Sequence, residues 1–172
     1  GRRLRALLPN VLMVGGGPDI DQEDALATSH LEEHDYLDYY IQEGGEEPFA
    51  ELVDWWLTTE RDVKDLPRNT IWLDNGRLQK TGLRPLAKSI ENVPSPYLSG
   101  FLDEFIDAGM MPLFETNRGC PFQCTFCAWG MASRNLVRRF SLETALAEIA
   151  YVGKRSTSRN WIVCDANFGI LK

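Results

Sequence analysis

Met111-Pro-Leu-Phe-Glu-Thr-Asn-Arg-Gly-Cys120-Pro-Phe-Gln-Cys124-Thr-Phe-Cys127 runs from a short apolar segment into three cysteines at C-x-x-x-C-x-x-C spacing. Residues 111–115 read as a strand, and the loop it delivers carries three soft thiolate ligands. Thiolates select zinc, copper(I) and iron-sulfur centres. Three of them on one loop can reach three corners of a 4Fe-4S cube and leave the fourth iron without a protein ligand. A closed ligand set is structural or electron-transferring, whereas a vacant position can take substrate.

Other readings of the same residues stand beside this one. Zinc would want a fourth Cys or His nearby, and the remaining cysteine, Cys164, lies far downstream inside the apolar run Trp161-Ile-Val-Cys164. A thioredoxin-like redox pair could use Cys124 and Cys127, but it leaves Cys120 unexplained. Structural disulfides fit poorly with 4 cysteines, three of them clustered, and no secretory segment. Cys164 itself reads as a small buried hydrophobe.

With Phe126 just before the last cysteine, the phrase Glu115-Thr-Asn-Arg-Gly-Cys-Pro-Phe-Gln-Cys-Thr-Phe-Cys127 resembles the signature loop of the radical SAM enzymes. It is similar to the branch whose barrel follows a cobalamin-binding domain. The resemblance implies that Cys120, Cys124 and Cys127 hold a 4Fe-4S cluster whose free iron chelates S-adenosylmethionine (SAM). It further implies that one electron splits SAM into methionine and a 5'-deoxyadenosyl radical, the cofactors carrying the chemistry and the protein holding them.

Composition is that of an ordinary globular chain: 172 residues, 44% hydrophobic, net charge -7. The charge argues against a broad nucleic-acid footprint. A basic stretch, Arg134, Arg138, Arg139, Lys154, Arg155 and Arg159, is either a solvated face or a patch for an anionic substrate or a reductase. No apolar run approaches the ~18 residues of a membrane span, and the start, Gly-Arg-Arg-Leu-Arg, lacks a signal-peptide core. The thiols call for a reducing, cytoplasmic setting. The chain begins with Gly and is expected to be a fragment, starting and stopping inside folding units.

Working outward toward the start, residues 2–9 read as the tail of a helix, and Val11-Leu-Met-Val14 as a buried strand. It runs into Gly15-Gly16-Gly17-Pro18, where missing Cβ atoms let a large ligand approach the main chain. A helix over 21–34 and a second strand over 35–41 follow. After the turn at 43–47 a helix is expected from Pro48, with Phe49, Leu52, Val53 and Trp56 on one face. This β-α-β-α order is half of a doubly wound parallel sheet. It resembles the end of a Rossmann-like cobalamin-binding domain, with Gly15 and Gly16 in place of its paired glycine and Gly17 beside them. Gly45 and Glu46 take part of a Gly-Glu-Gly-Glu turn, in which positions 43 and 44 are Glu and Gly where the family has Gly and Glu. The Asp-x-His-x-x-Gly element that bears a cobalt-ligating histidine in many relatives is not in this chain.

Residues 61–111 read as a connector with a β-hairpin turning at Asn75-Gly76, then Pro94-Ser-Pro-Tyr-Leu98, whose prolines favour extended chain. Beyond the cysteines, Ser141 should cap a helix with Leu142, Leu146 and Ile149 on its inner face and Gly153 near its stop. Asn160–Asp165 should form a second parallel strand whose end, Asp165-Ala-Asn167-Phe168, lies where a TIM-type barrel places ligand contacts. The resemblance assigns SAM contacts to Asp165 and Asn167 and places Phe126 near the adenine. As bare residues, Asp165 could cap the following loop and Phe126 could be core.

The expected architecture is therefore α/β. Residues 1–60 would be the C-terminal part of a Rossmann-like cobalamin-binding domain, 61–111 a connector, and 112–172 the first β-α-β of an incomplete radical SAM (β/α) barrel. His30-Leu-Glu-Glu-His34 also matches the H-x-x-E-H pattern of zinc peptidases, but no third ligand is evident. The expected function is a SAM-dependent radical enzyme, cobalamin-associated, that methylates an unactivated carbon or rearranges a ring of a small-molecule substrate. A flavodoxin or ferredoxin would supply its electrons, and this fragment alone would not turn over. The alternatives are a radical SAM enzyme with a vestigial Rossmann-like domain and a structural zinc or electron-transfer module.

Overall fold

A computed structural model describes residues 1–17, 20–58, 60–87, 89–127 and 136–169. Pro18 and Arg134 lie outside the described residues. The chain forms two compact units, Gly1–Pro85 and Leu86–Lys172, so the segment 61–111 expected as a connector is divided between them.

The first unit contains α1 (Arg2–Leu7), β1 (Val14–Gly16), α2 (Asp24–Glu33), β2 (Tyr39–Ile41), α3 (Glu46–Leu57), β3 (Thr70–Asp74) and β4 (Arg77–Lys80). β1 and β2 are parallel, with Val14 opposite Tyr39 and Gly16 opposite Ile41. The hairpin β3–β4 then adds antiparallel, Tyr40 opposite Ile71, giving the order β1-β2-β3-β4. The parallel half-sheet expected from the sequence is thus two strands of a mixed sheet whose edge is the hairpin. Asn75 and Gly76 turn it with φ of 50° and 74°, the left-handed pair a two-residue hairpin requires.

Strand alternation distributes the core over both faces of this sheet. On one face Tyr40 and Ile71 pack with Ala27 and Leu31 of α2. On the other Ile41 packs with Leu52 and Trp55 of α3 and with Leu66, flanked by Tyr39 and Trp72. The buried face of α3 is Pro48, Leu52 and Trp55. Phe49, expected inside, is exposed and Val53 and Trp56 are half-buried, because the strand residues meet the helix one position round from the stripe read in sequence. Arg5 ties α1 to the sheet through Asp38 (2.5 Å) and the carbonyls of Tyr36 and Val11.

The second unit contains α4 (Asp103–Asp107), β5 (Leu113–Phe114), β6 (Asn117–Arg118), β7 (Arg138–Arg139), α5 (Leu142–Arg155) and β8 (Ile162–Val163). β5 and β8 are parallel, Leu113 opposite Ile162 and Phe114 opposite Val163, with α5 between them in sequence. Pro96–Ser99 turn rather than extend. This brings buried Tyr97 onto β5, where its hydroxyl donates to the Leu113 carbonyl (2.6 Å) and accepts from the Leu113 amide (3.0 Å). Burial is the main cause that pushes the Tyr97 phenol up, so it stays protonated as a donor. Tyr97, Ile106, Phe114 and Val152 form the core of this unit.

Two expectations are corrected here. Leu142, Leu146 and Ile149 are exposed, and Val152 is the fully buried residue of α5, since α5 meets the core of Ile106 and Phe114 through its last turns. Cys164 is exposed rather than buried, because Ile162 and Val163 before it are exposed as well.

Ser141 caps α5 by accepting from the Thr144 amide (3.0 Å). Glu91 accepts from the Ser141 amide (2.6 Å) and from the hydroxyl of Thr144. The Thr144 hydroxyl and the Ser141 amide hold the Glu91 carboxyl below its ordinary value. Its stabilisation is therefore complete above the ordinary carboxylate range and is lost as pH falls through that range to the lowered value. Ser141→Ala should cost about 1 kcal/mol, read as a lower urea midpoint at neutral pH.

Candidate cluster loop and its supports

The cysteines lie between β6 and β7, which pair antiparallel, Asn117 opposite Arg139 and Arg118 opposite Arg138. The loop therefore leaves and returns through a two-stranded neck, directly after β5. Arg118 Nη2 and Nε bind Glu115 at 2.6 and 3.0 Å, a forked, partly buried pair that stiffens the neck. Gly119 follows with φ 104°, a backbone conformation that only glycine adopts without strain. It turns the chain into Cys120.

Cys120 is buried, Cys127 half-buried and Cys124 exposed, and all are free thiols. The Cys127 amide donates to the Cys124 carbonyl (3.1 Å), a tight turn that keeps the last two cysteines close in the chain. Among the described residues no three Cys, His, Asp or Glu side chains converge into a finished metal cage. The donor set nevertheless fits a cluster in its chemistry: three soft ligands on one loop behind a rigid neck. Ligands that close up only around the metal are common, because binding and local folding are coupled.

Asp165 follows β8, and its carboxylate faces the chain just before the cysteines. It accepts from the amides of Thr116 (2.6 Å) and Asn117 (3.1 Å), from Asn117 Nδ2 (2.8 Å) and from the Thr116 hydroxyl. Asn117 is buried, and its Oδ1 has no hydrogen-bond partner among the described residues. Asn167 is half-buried in the turn that follows. Phe126 is 90% exposed, so it is not core. The Thr116–Asn117–Asp165 arrangement was missed in the sequence, where its signal was the polar run Glu115-Thr116-Asn117-Arg118 between the strand and the first cysteine.

In the first unit the candidate glycines fall at the carboxyl ends of the two parallel strands. A Cβ on Gly15 would lie 2.6 Å from the Tyr40 ring and 2.9 Å from Leu37, so packing alone demands glycine there. Gly16 is exposed and a Cβ would meet only the Ile41 carbonyl at 3.5 Å; Gly17 has φ 105° and open space. Gly45 precedes α3, and Glu46 is its first residue. Glu43 adopts φ 62°, left-handed backbone that costs a non-glycine residue about 1 kcal/mol. The rings of His30 and His34 stack at 4.3 Å, and His34 Nδ1 meets the His30 carbonyl at 2.8 Å.

No protein-family model matches the chain. Over 169 residues, 95% of its length, it is 33% identical to the cobalamin-dependent radical SAM methyltransferase TokK of Streptomyces tokunonensis. It is also 33% identical over 169 residues to the 2-(S-pantetheinyl)-carbapenam-3-carboxylate methyltransferase of Streptantibioticus cattleyicolor. Each match spans 24% of the relative, so the chain corresponds to about a quarter of these proteins. The fold is similar to that of OxsB, solved with aqua-cobalamin and SAM bound, at TM-score 0.69 and 20% identity, covering 97% of this chain and 23% of that one. It is also similar to TsrM from Kitasatospora setae, solved with tryptophan and a SAM analogue, at TM-score 0.63 and 16% identity, covering 98% and 33%. The homologues of this chain are thus cobalamin-dependent radical SAM methyltransferases, of which it matches a part.

Proposed function

We propose that this chain carries the cluster-binding loop, and part of the cobalamin-binding domain, of a radical SAM methyltransferase acting on a small molecule. The observation that carries the reading is the three-cysteine loop at the end of β5, in a chain 33% identical to TokK. Cys120, Cys124 and Cys127 would hold a 4Fe-4S cluster as thiolates. Bound there, the cluster would supply one electron and an open iron for reductive cleavage of SAM, and cobalamin a carrier for the methyl group. The chain's own residues position and shield. The β6–β7 neck and the Glu115–Arg118 pair hold the loop, while the exposed ring of Phe126 and the half-buried Asn167 are available to SAM. Gly16, Gly17, Gly45 and Glu46 would face cobalamin at the ends of β1 and β2.

The divisions proposed are a cobalamin-binding part over 1–60, a connector over 61–111 and the start of the barrel over 112–172. No helix among the described residues is long and apolar enough to cross a membrane, and a cytoplasmic enzyme reduced by a flavodoxin or ferredoxin is consistent with its thiols. A second reading, in which the Rossmann-like part no longer binds cobalamin, draws on the packing need at Gly15 and the left-handed Glu43. Metal analysis after anaerobic reconstitution tests the first reading. About four irons with matching sulfide per chain is expected, whereas one zinc would make the loop structural.

A further inference from the structure

The ladder between β5 and β8 ends at the pair Phe114 and Val163, after which the Cys164 amide donates to the Phe114 carbonyl at 2.7 Å. There the two chains fork. One continues through Thr116 and Asn117 to the cysteines, and the other carries Asp165. The Asp165 carboxylate closes the fork by accepting two backbone amides, one side-chain amide and one hydroxyl from Thr116 and Asn117. A carboxylate offers about four lone-pair sites, so its capacity is filled by protein donors and little is left for the ammonium of a ligand.

On its other side the same segment is held by β7, where Asn117 pairs with Arg139 and the Phe140 amide donates to the Thr116 carbonyl (3.2 Å). The chain just before Cys120 is thus fixed from two directions, by the backbone of β7 on one side and by the Asp165 carboxylate on the other. Asp165 also sets the Asn117 amide: with Nδ2 committed to Asp165, Oδ1 must turn away, which accounts for a buried acceptor left without a partner.

We infer that Asp165 is a positioning residue for the cluster loop, clamping Thr116 and Asn117 so that Cys120 is presented in register, rather than a ligand of SAM. The inference rests on the reading of the three cysteines as cluster ligands. Groups that orient a metal's ligands without touching it change its affinity by about 10- to 100-fold when removed.

The test uses the full-length protein, reconstituted anaerobically with iron and sulfide, and compares wild type with Asp165→Asn, Asp165→Glu and Thr116→Val. Asp165→Asn turns an NH2 toward donors. It should weaken cluster retention about tenfold or more and shift the EPR signal of the reduced cluster recorded without SAM. Asp165→Glu should recover part of the loss. Thr116→Val removes one hydroxyl and keeps both backbone amides, so it should fold and move the SAM-free signal in the same direction by less. In every variant the clusters that remain should respond to SAM as in wild type. A variant at Asp165 with full iron and the wild-type SAM-free signal, but no response to SAM, would overturn the inference and make Asp165 a SAM ligand. Wild type that takes up no cluster would instead overturn the reading of the cysteines, and the clamp with it.

Discussion

Cys124→Ala is expected to reduce cluster iron in the reconstituted full-length protein from about four per chain to near zero and to abolish its EPR signal. The reason is the number of ligands. With three thiolates and an open iron, loss of one leaves two protein ligands, and the most exposed of the three, Cys124, is the one solvent most readily replaces. Cys120→Ala and Cys127→Ala should behave alike. Cys164→Ala is the control: Cys164 is also exposed, but it follows β8 on a different segment, and its loss should leave iron unchanged. Equal loss in all four variants would point to general unfolding instead.

Gly15→Val should destabilise the first unit by about 1–3 kcal/mol, whether or not cobalamin is present. The added Cβ would meet the ring of Tyr40, a buried side chain whose hydroxyl donates to the Gly17 carbonyl (3.2 Å). A ring held at both ends cannot swing aside, so the strand pair β1–β2 must shift. Gly16→Ala places its methyl at ordinary contact distance and should leave the urea midpoint nearly unchanged. The pair therefore separates fold from cofactor. If the first unit binds cobalamin at its strand ends, Gly16→Ala should weaken the optical change on adding hydroxocobalamin while stability holds. An unchanged spectrum for wild type would favour the second reading of this domain.

What was legible in the sequence was chemistry that is local in the chain. Three cysteines within eight residues declare a ligand loop wherever they fold, Asn75-Gly76 declares its hairpin because left-handed backbone is needed there, and Ser141 declares a cap three residues before the amide it accepts from. Long-range geometry was not legible. Asp165 is 49 positions from Thr116, and nothing in its own neighbourhood says whether its carboxylate meets a ligand or a distant backbone. The stripe Leu142, Leu146, Ile149 has helical period, but period names a face without naming what covers it. That the core reaches α5 at Val152 is decided by where Phe114 and Ile106 lie. Likewise Gly15 looked like a residue kept open for a ligand, and the side chain that fills the space comes from the neighbouring strand.

The most direct test of the open iron is EPR of the reduced, reconstituted full-length protein with and without SAM. The account predicts a 4Fe-4S signal that changes when SAM is added and is absent in Cys124→Ala. A cluster whose signal is indifferent to SAM, or a protein loaded with zinc, would contradict it.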